Sequence, residues 1–198
     1  MALRLIVGLG NPGERYVRTR HNIGAAAVER AAQRWSISLR AAGEARCGQG
    51  CIGPVNVALA LPLVWMNQSG EAVKALLDAL VLPADQLVLV HDDLDLDLGR
   101  LRIRPDGGHG GHNGVRSVIE TLGTDQFPRV KIGIGRPAPD VDPAEYVLTS
   151  FTPDESVLLE EILDHTVEAL ACLVVEGPER AMNRFNVRPE PGHEDSDG

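Results

Sequence analysis

Apolar residues recur along this chain with two periods, and the places where one gives way to the other predict most of its elements. Leu3 to Leu9 is a short apolar run that ends in a Gly, Asn and Pro cluster, the pattern of a buried strand followed by a tight turn. From about Asn22 to Arg34, Ile23, Ala26, Ala27, Ala31 and Trp35 fall at helical spacing with Arg30 and Arg34 on other faces, which predicts a helix. Ala45 to Cys51 and Val55 to Leu61, separated by Gly53-Pro54, read as the two strands of a hairpin, and Pro62 ends the second. Ser69 with Glu71 to Leu80 predicts a second helix, closed by Pro83. Leu87 to Val90 is then a short buried strand that delivers His91-Asp92-Asp93 at its end.

Beyond that point Leu94, Leu96 and Leu98 alternate with Asp95 and Asp97, which predicts an extended, solvent-facing edge. Asn113 to Leu122 reads as a helix, and Arg129 to Ile134 as a strand ending at Gly135-Arg136-Pro137. Thr152-Pro153-Asp154-Glu155 has the composition of a capped helix start, with apolar positions continuing to about Val175, and a last helix is expected near Pro178. From Arg188 onward nothing apolar follows, so residues 188–198 are expected to be a disordered acidic tail behind a single domain of residues 1–187. Strands alternating with helices in this order imply an α/β fold.

Composition narrows the function more than the fold. With 43% hydrophobic and 24% charged residues, the chain has the balance of one globular domain. No apolar run approaches the roughly 18 residues of a membrane span, and the N-terminus lacks a secretory pattern, so the cytosol is the expected location. Cys47, Cys51 and Cys172 are odd in number and lack a second pair to complete a metal site, which points to reduced thiols. A net charge of −9 argues at first against a nucleic-acid partner. Its distribution reverses that reading, because the residues from Pro137 onward hold three Arg against fifteen Asp and Glu, leaving sixteen bases against thirteen acids in the first 136. Arg100 to Arg136 alone carries seven bases against three acids, a local footprint of the kind that binds phosphates.

Four polar clusters fall at expected strand ends or loops, where an open α/β sheet gathers distant residues into one crevice. The first, Gly8-Leu9-Gly10-Asn11-Pro12-Gly13, matches the dinucleotide fingerprint formally, but Pro12 sits where a helix should be running and no strand ending in an acid follows. Asn11 is instead a neutral donor and acceptor on a stiff turn, suited to reading an amide. His21, near the start of the first helix, is the candidate base, and Asp92 or Asp93 is the carboxylate that would fix its tautomer. The Gly107 to Gly114 run, leading into a helix, offers backbone N–H groups where a phosphate would fit. Two rivals stand beside this reading: a metal-dependent phosphoesterase built on His91, Asp92, Asp93, His109 and His112, and a non-catalytic protein that binds a nucleic acid without turnover.

Together the motifs resemble one family. Leu5 to Gly13 with Tyr16, Thr19-Arg20-His21-Asn22 and Gly24 is similar to the opening signature of bacterial peptidyl-tRNA hydrolases. Met66-Asn67-Gln68-Ser69-Gly70, His91 to Asp95, Gly107 to Gly114 with Arg116-Ser117, and Ile132 to Pro137 match that family's later motifs in order. The resemblance runs to about Val187 through Tyr146-Val147-Leu148 and Asn183-Arg184-Phe185-Asn186. It implies a single α/β domain on a twisted, mixed and mostly parallel β-sheet flanked by helices. It implies an ester hydrolase acting on peptidyl-tRNA, with His21 as general base, Asp92 as its stabilising partner and Asn11 as the residue that separates blocked from free aminoacyl-tRNA by bonding the peptide amide. Tyr16, Trp65, Asn67 and Asn113 correspond to substrate contacts, and Met66, His112 and Arg136 are expected on the same substrate- and tRNA-binding surface. It further implies no metal, no organic cofactor, no membrane and a monomer. An Asn amide would stabilise the oxyanion, with the particular Asn left open. Val64 and Trp65 depart from the Thr and smaller aromatic usual before the Met-Asn pair, and Asp97-Leu98-Gly99 replaces a proline-containing turn.

Overall fold

Seven strands share one sheet in the computed structural model, which describes residues 3–187. They are β1 (Arg4–Gly8), β2 (Arg40–Ala42), β3 (Ala45–Ile52), β4 (Val55–Pro62), β5 (Leu87–Asp93), β6 (Leu101–Arg104) and β7 (Arg129–Gly133), in the spatial order β2-β3-β4-β1-β5-β7-β6. β4, β1, β5 and β7 run parallel at the centre, while β2, β3 and β6 join the edges antiparallel. The sheet is thus mixed as expected, and its parallel pairings are confined to the middle. That division follows from burial, because parallel strands need both faces covered.

Alternation along β1 shows how the two layers form. Ile6 belongs to a core shared with α1 (Ile23–Arg34), α5 (Pro153–Glu176) and α6 (Pro178–Phe185), whereas Leu5 and Val7 face a second core under α2 (Ser69–Leu80) and α3 (Asn113–Leu122). The chain therefore leaves β1 toward one face of the sheet and leaves β4 toward the other, which opens a crevice beyond their carboxyl ends. Close packing seals the first of these connections. A Cβ on Gly24 would lie 2.3 Å from the Val90 carbonyl oxygen, and one on Gly8 would lie 2.4 Å from that of Gly24, so α1 can start directly against β1 and β5 only because both positions are glycine.

The hairpin turns at Gly53-Pro54, with Ile52 opposite Val55. The expected capped helix start carries a full capping box, in which Thr152 and Glu155 satisfy each other's backbone N–H groups. Three short elements, β2, β6 and α4 (Pro143–Tyr146), were not expected. β6 has only four residues, and its edge is completed by a side chain: Ile103 N–H donates to Asn186 Oδ1 at 2.7 Å, and Asn186 Nδ2 donates to the Ile103 carbonyl at 3.0 Å. The extended edge expected over Leu94 to Leu98 is instead a looped turn. Leu96 is buried and its carbonyl accepts from Gly135 N, while Leu94 and Leu98 pack half-buried against the core, so the apolar alternation reflects side chains that anchor a turn rather than a strand. The acidic tail from Arg188 onward lies outside the described residues.

Candidate active site

The side chains with chemistry gather beyond the ends of β1, β4 and β5. A single 3-10 turn, Arg20–Asn22, distributes three of them. With about three residues per turn, consecutive side chains point some 120° apart. Arg20 turns toward α4 and the start of α5, His21 toward the end of β5, and Asn22 toward Asn11. All three are buried.

His21 Nδ1 lies 2.9 Å from Asp92 Oδ1, and the same oxygen lies 2.9 Å from His112 Nε2. The tautomers follow from the remaining partners. His112 Nδ1 accepts from the backbone N–H groups of Gly114 and Val115, at 3.1 and 3.3 Å, so its hydrogen is on Nε2 and points at Asp92. With Asp92 ionised, His21 carries its hydrogen on Nδ1, and its Nε2 has no protein partner among the described residues. Burial opposes the charge on Asp92, but His112 and His21 outweigh burial and hold the carboxyl well below the usual carboxylate range. Asp93, the alternative partner for the candidate base, is engaged elsewhere by Lys131 at 2.9 Å and by the Asp95 N–H at 2.8 Å.

Asn11 is fixed at both ends. Its Oδ1 accepts from Met66 N–H at 2.9 Å, while its backbone exchanges two 2.9 Å hydrogen bonds with the Asn22 side chain. The Asn11 NH2 group is therefore the end left for a ligand, and it can donate but not accept. Met66 serves through its backbone, since its side chain is buried in the core beside Leu9 and Val115 rather than lying on the site surface. Trp65 is half exposed and meets Tyr16 edge-on at 5.8 Å, with Arg15 over the outer tyrosine face. Asn67 is exposed on the 3-10 turn Met66–Gln68, and Asn113 is the first residue of α3.

A cavity of about 410 Å³ opens beside His21, lined among others by Asp92, His112, Asn113, Lys131 and Val147. Arg136 is on its rim, exposed and paired with Asp95. Two expectations change here. The N-terminus of α3 is not an open phosphate site, because the His112 imidazole already occupies the N–H groups of Gly114 and Val115. Nor do the five residues of the metal reading converge: Asp93 is paired with Lys131, His109 Nδ1 accepts from Gly111 N, and His91 Nδ1 donates to the Asp92 carbonyl at 2.7 Å. Among the described residues, His21, Asp92 and His112 do bring donor atoms within 4.8 Å of one another. To hold an ion they would give up the two hydrogen bonds that define the cluster.

Two buried residues have no role in the hydrolase reading of the sequence. His91 lies against His112 at 4.8 Å between ring centres, and burial, aided by His112, pushes its pKa well below the ordinary imidazole value, so it is neutral. Arg20 is buried and paired with Glu155. Both stand inside recognised motifs, but their packing against His112 and Glu155 depends on contacts distant in sequence.

A family model described as peptidyl-tRNA hydrolase matches residues 5–193. The peptidyl-tRNA hydrolase of Chloroflexus aggregans is 48% identical over 184 residues, covering 92% of this chain and 98% of that one. That of a Synechococcus strain is 47% identical over 188 residues, covering 94% and 84%. Among solved structures, peptidyl-tRNA hydrolase from Acinetobacter baumannii superposes with a TM-score of 0.86 at 36% identity, covering 93% of this chain and 95% of the other. A complex of peptidyl-tRNA hydrolase with N-propanol gives a TM-score of 0.88 at 34% identity, covering 96% and 97%.

Proposed function

The chain belongs to the peptidyl-tRNA hydrolase family, and from that premise we propose how it cleaves the ester between a peptide and the 3′-terminal ribose of tRNA. His21 is the general base. The observation that carries this assignment is the 2.9 Å contact of His21 Nδ1 with a buried Asp92, which leaves Nε2 as the free lone pair beside the cavity. Nε2 takes a proton from water as the water oxygen attacks the carbonyl carbon of the last peptide residue. Asp92 stabilises the imidazolium that forms, and His112 keeps Asp92 oriented through its own hydrogen bond. Collapse of the tetrahedral intermediate expels the ribose oxygen, which takes back the proton, and free peptide and tRNA leave.

The amide groups divide the remaining work. Asn113 borders the same cavity as His21 and donates to the oxyanion. Asn11 presents only N–H donors, so it recognises a carbonyl oxygen, not an amide hydrogen. A blocked aminoacyl group carries such a carbonyl next to its ester residue, and a free one carries an ammonium group instead. An ammonium facing the Asn11 donors is rejected because both partners donate. Tyr16 and Trp65 supply the aromatic surface on the outer side, with Asn67 beside them, and Arg136 on the cavity rim offers a cationic contact to the substrate. On this reading the enzyme acts as a monomer in the cytosol, without a metal.

Release of N-acetyl amino acid from acetyl-aminoacyl-tRNA in the presence of EDTA tests the proposal. Cleavage restricted to the blocked substrate, unchanged by EDTA and reduced at least about 100-fold in His21→Ala, is the expected outcome. EDTA-sensitive cleavage points to the metal reading, and tRNA binding without cleavage points to a binding protein.

A further inference from the structure

Arg20 has no place in the chemistry above, yet it is one of the most elaborately held side chains in the molecule. Its side chain is 5% exposed, and its guanidinium makes a two-pronged contact with Glu155, NH1 to Oε1 at 3.1 Å and NH2 to Oε2 at 2.7 Å. Nε donates to Thr149 Oγ1 at 3.3 Å. The guanidinium carbon lies 4.4 Å from the ring centre of Tyr146 and 4.9 Å from that of Phe151. A fork that matches a carboxylate while stacking on aromatic rings is a guanidinium geometry that an ammonium cannot reproduce.

The backbone repeats the connection. Arg20 N–H donates to the Thr149 carbonyl at 3.0 Å, His21 N–H donates to the Val147 carbonyl at 2.8 Å, and Thr19 forms an antiparallel bridge with Ser150. Pro143, Ala144 and Val147 in turn form a wall of the cavity that His21 and Asp92 line. The far side of this wall is tied down as well, through Tyr146 Oη donating to the Ile134 carbonyl at 2.9 Å. Glu155 also belongs to the capping box that starts α5. One buried cation thus joins three parts: the turn that carries the base, the wall next to it, and the helix behind the wall.

We propose that Arg20 is a positioning residue for the reaction, setting the direction of the His21 ring and the stance of the 143–151 wall against it. The proposal rests on His21 being the base. Because Arg20 points away from His21 within the same turn, it acts through backbone geometry and touches neither water nor ester. Misplacing a base by a fraction of an ångström lowers the rate of the chemical step more than it lowers binding.

The test compares Arg20→Lys, Glu155→Gln and the double variant with the unmodified protein on acetyl-aminoacyl-tRNA, alongside His21→Ala. All are assayed well below the melting temperature that each variant shows. The expected result is a fall of about 10- to 100-fold in kcat for Arg20→Lys with KM changed less than about two-fold, since the charge is kept and the fork lost. Glu155→Gln, which can still cap Thr152 N–H, is expected to show a smaller fall of the same kind, and the double variant to be no worse than Arg20→Lys alone. Wild-type kcat in folded Arg20→Lys, with only its melting temperature lowered, overturns the proposal and leaves a structural clamp. If Arg20→Lys does not fold, Glu155→Gln decides: unchanged kcat overturns the proposal, and a reduced kcat at constant KM supports it. Retained turnover in His21→Ala sinks the assignment of the base itself, a failure separable from that of Arg20 by this variant alone.

Discussion

At the scale of single residues, the site is set by which end of each polar side chain is already used. Asn11 has its oxygen committed to Met66 N–H, so its identity as a donor comes from the protein and not from the substrate. Asn11→Asp tests this directly, because a carboxylate can keep the bond to Met66 but cannot donate to a carbonyl. We expect kcat/KM on acetyl-aminoacyl-tRNA to fall on the order of 100-fold or more, with folding preserved as judged by circular dichroism. Activity near the wild-type level would remove Asn11 from substrate recognition. His112 shows the same logic in reverse: both of its nitrogens are occupied, one by the helix it caps and one by Asp92. Its type and its neighbourhood to Gly114 were readable from the sequence, but its role as a cap required the loop path from Gly107 to Gly111.

At the scale of elements, helix ends carry most of the information. α5 begins with the capping box that Thr152 and Glu155 announce in the sequence. α2 ends less well. Val81 follows it in the left-handed region at φ 55°, 87% exposed, where a β-branched residue is strained and glycine is the usual choice. Val81→Gly gives up almost no burial and removes that strain, so a stabilisation of about 0.5–1 kcal/mol is predicted, visible as a higher melting temperature with unchanged turnover. A lower melting temperature would mean that the side chain contributes something its exposure does not reveal. Long periodic elements such as α1, α2, α3 and α5 could be read directly because their apolar faces repeat over several turns. β2, β6 and α4 are three or four residues each, too short to show a period, and they exist because partners across the sheet or the loop complete their hydrogen bonds.

At the scale of the whole molecule, a net charge of −9 sits uneasily with a polyanionic substrate. Along the chain, however, the charges are separated. The acids are concentrated after Pro137, where α5 carries Glu160 and Asp164 paired with Arg30, whereas Arg102, Arg104, Arg116 and Lys131 lie in the segment that also builds the cavity. KM for peptidyl-tRNA is therefore expected to rise steeply between low and physiological salt while kcat stays level, since only the phosphate contacts exchange with counterions. A salt-independent KM would place binding on the aromatic and amide surface alone. Among the described residues no helix is long and apolar enough to cross a membrane.

By itself the sequence determined the fold class, the order of the main elements and the residues able to do the chemistry. Those depend on local periodicity, on turn residues and on side-chain type, all properties that neighbouring positions carry. Tertiary structure decided what residue type alone had left open: that Asp92 and not Asp93 meets His21, as the resemblance implied, that Asn11 is left with its NH2 group as a donor, that His112 closes the helix end a phosphate would have used, and that Arg20 ties the His21 turn to a wall some 130 residues further along. Each of these is a choice among chemically similar partners. It is made by which backbone groups the packed sheet and helices bring within hydrogen-bond distance, and no local pattern records that distance.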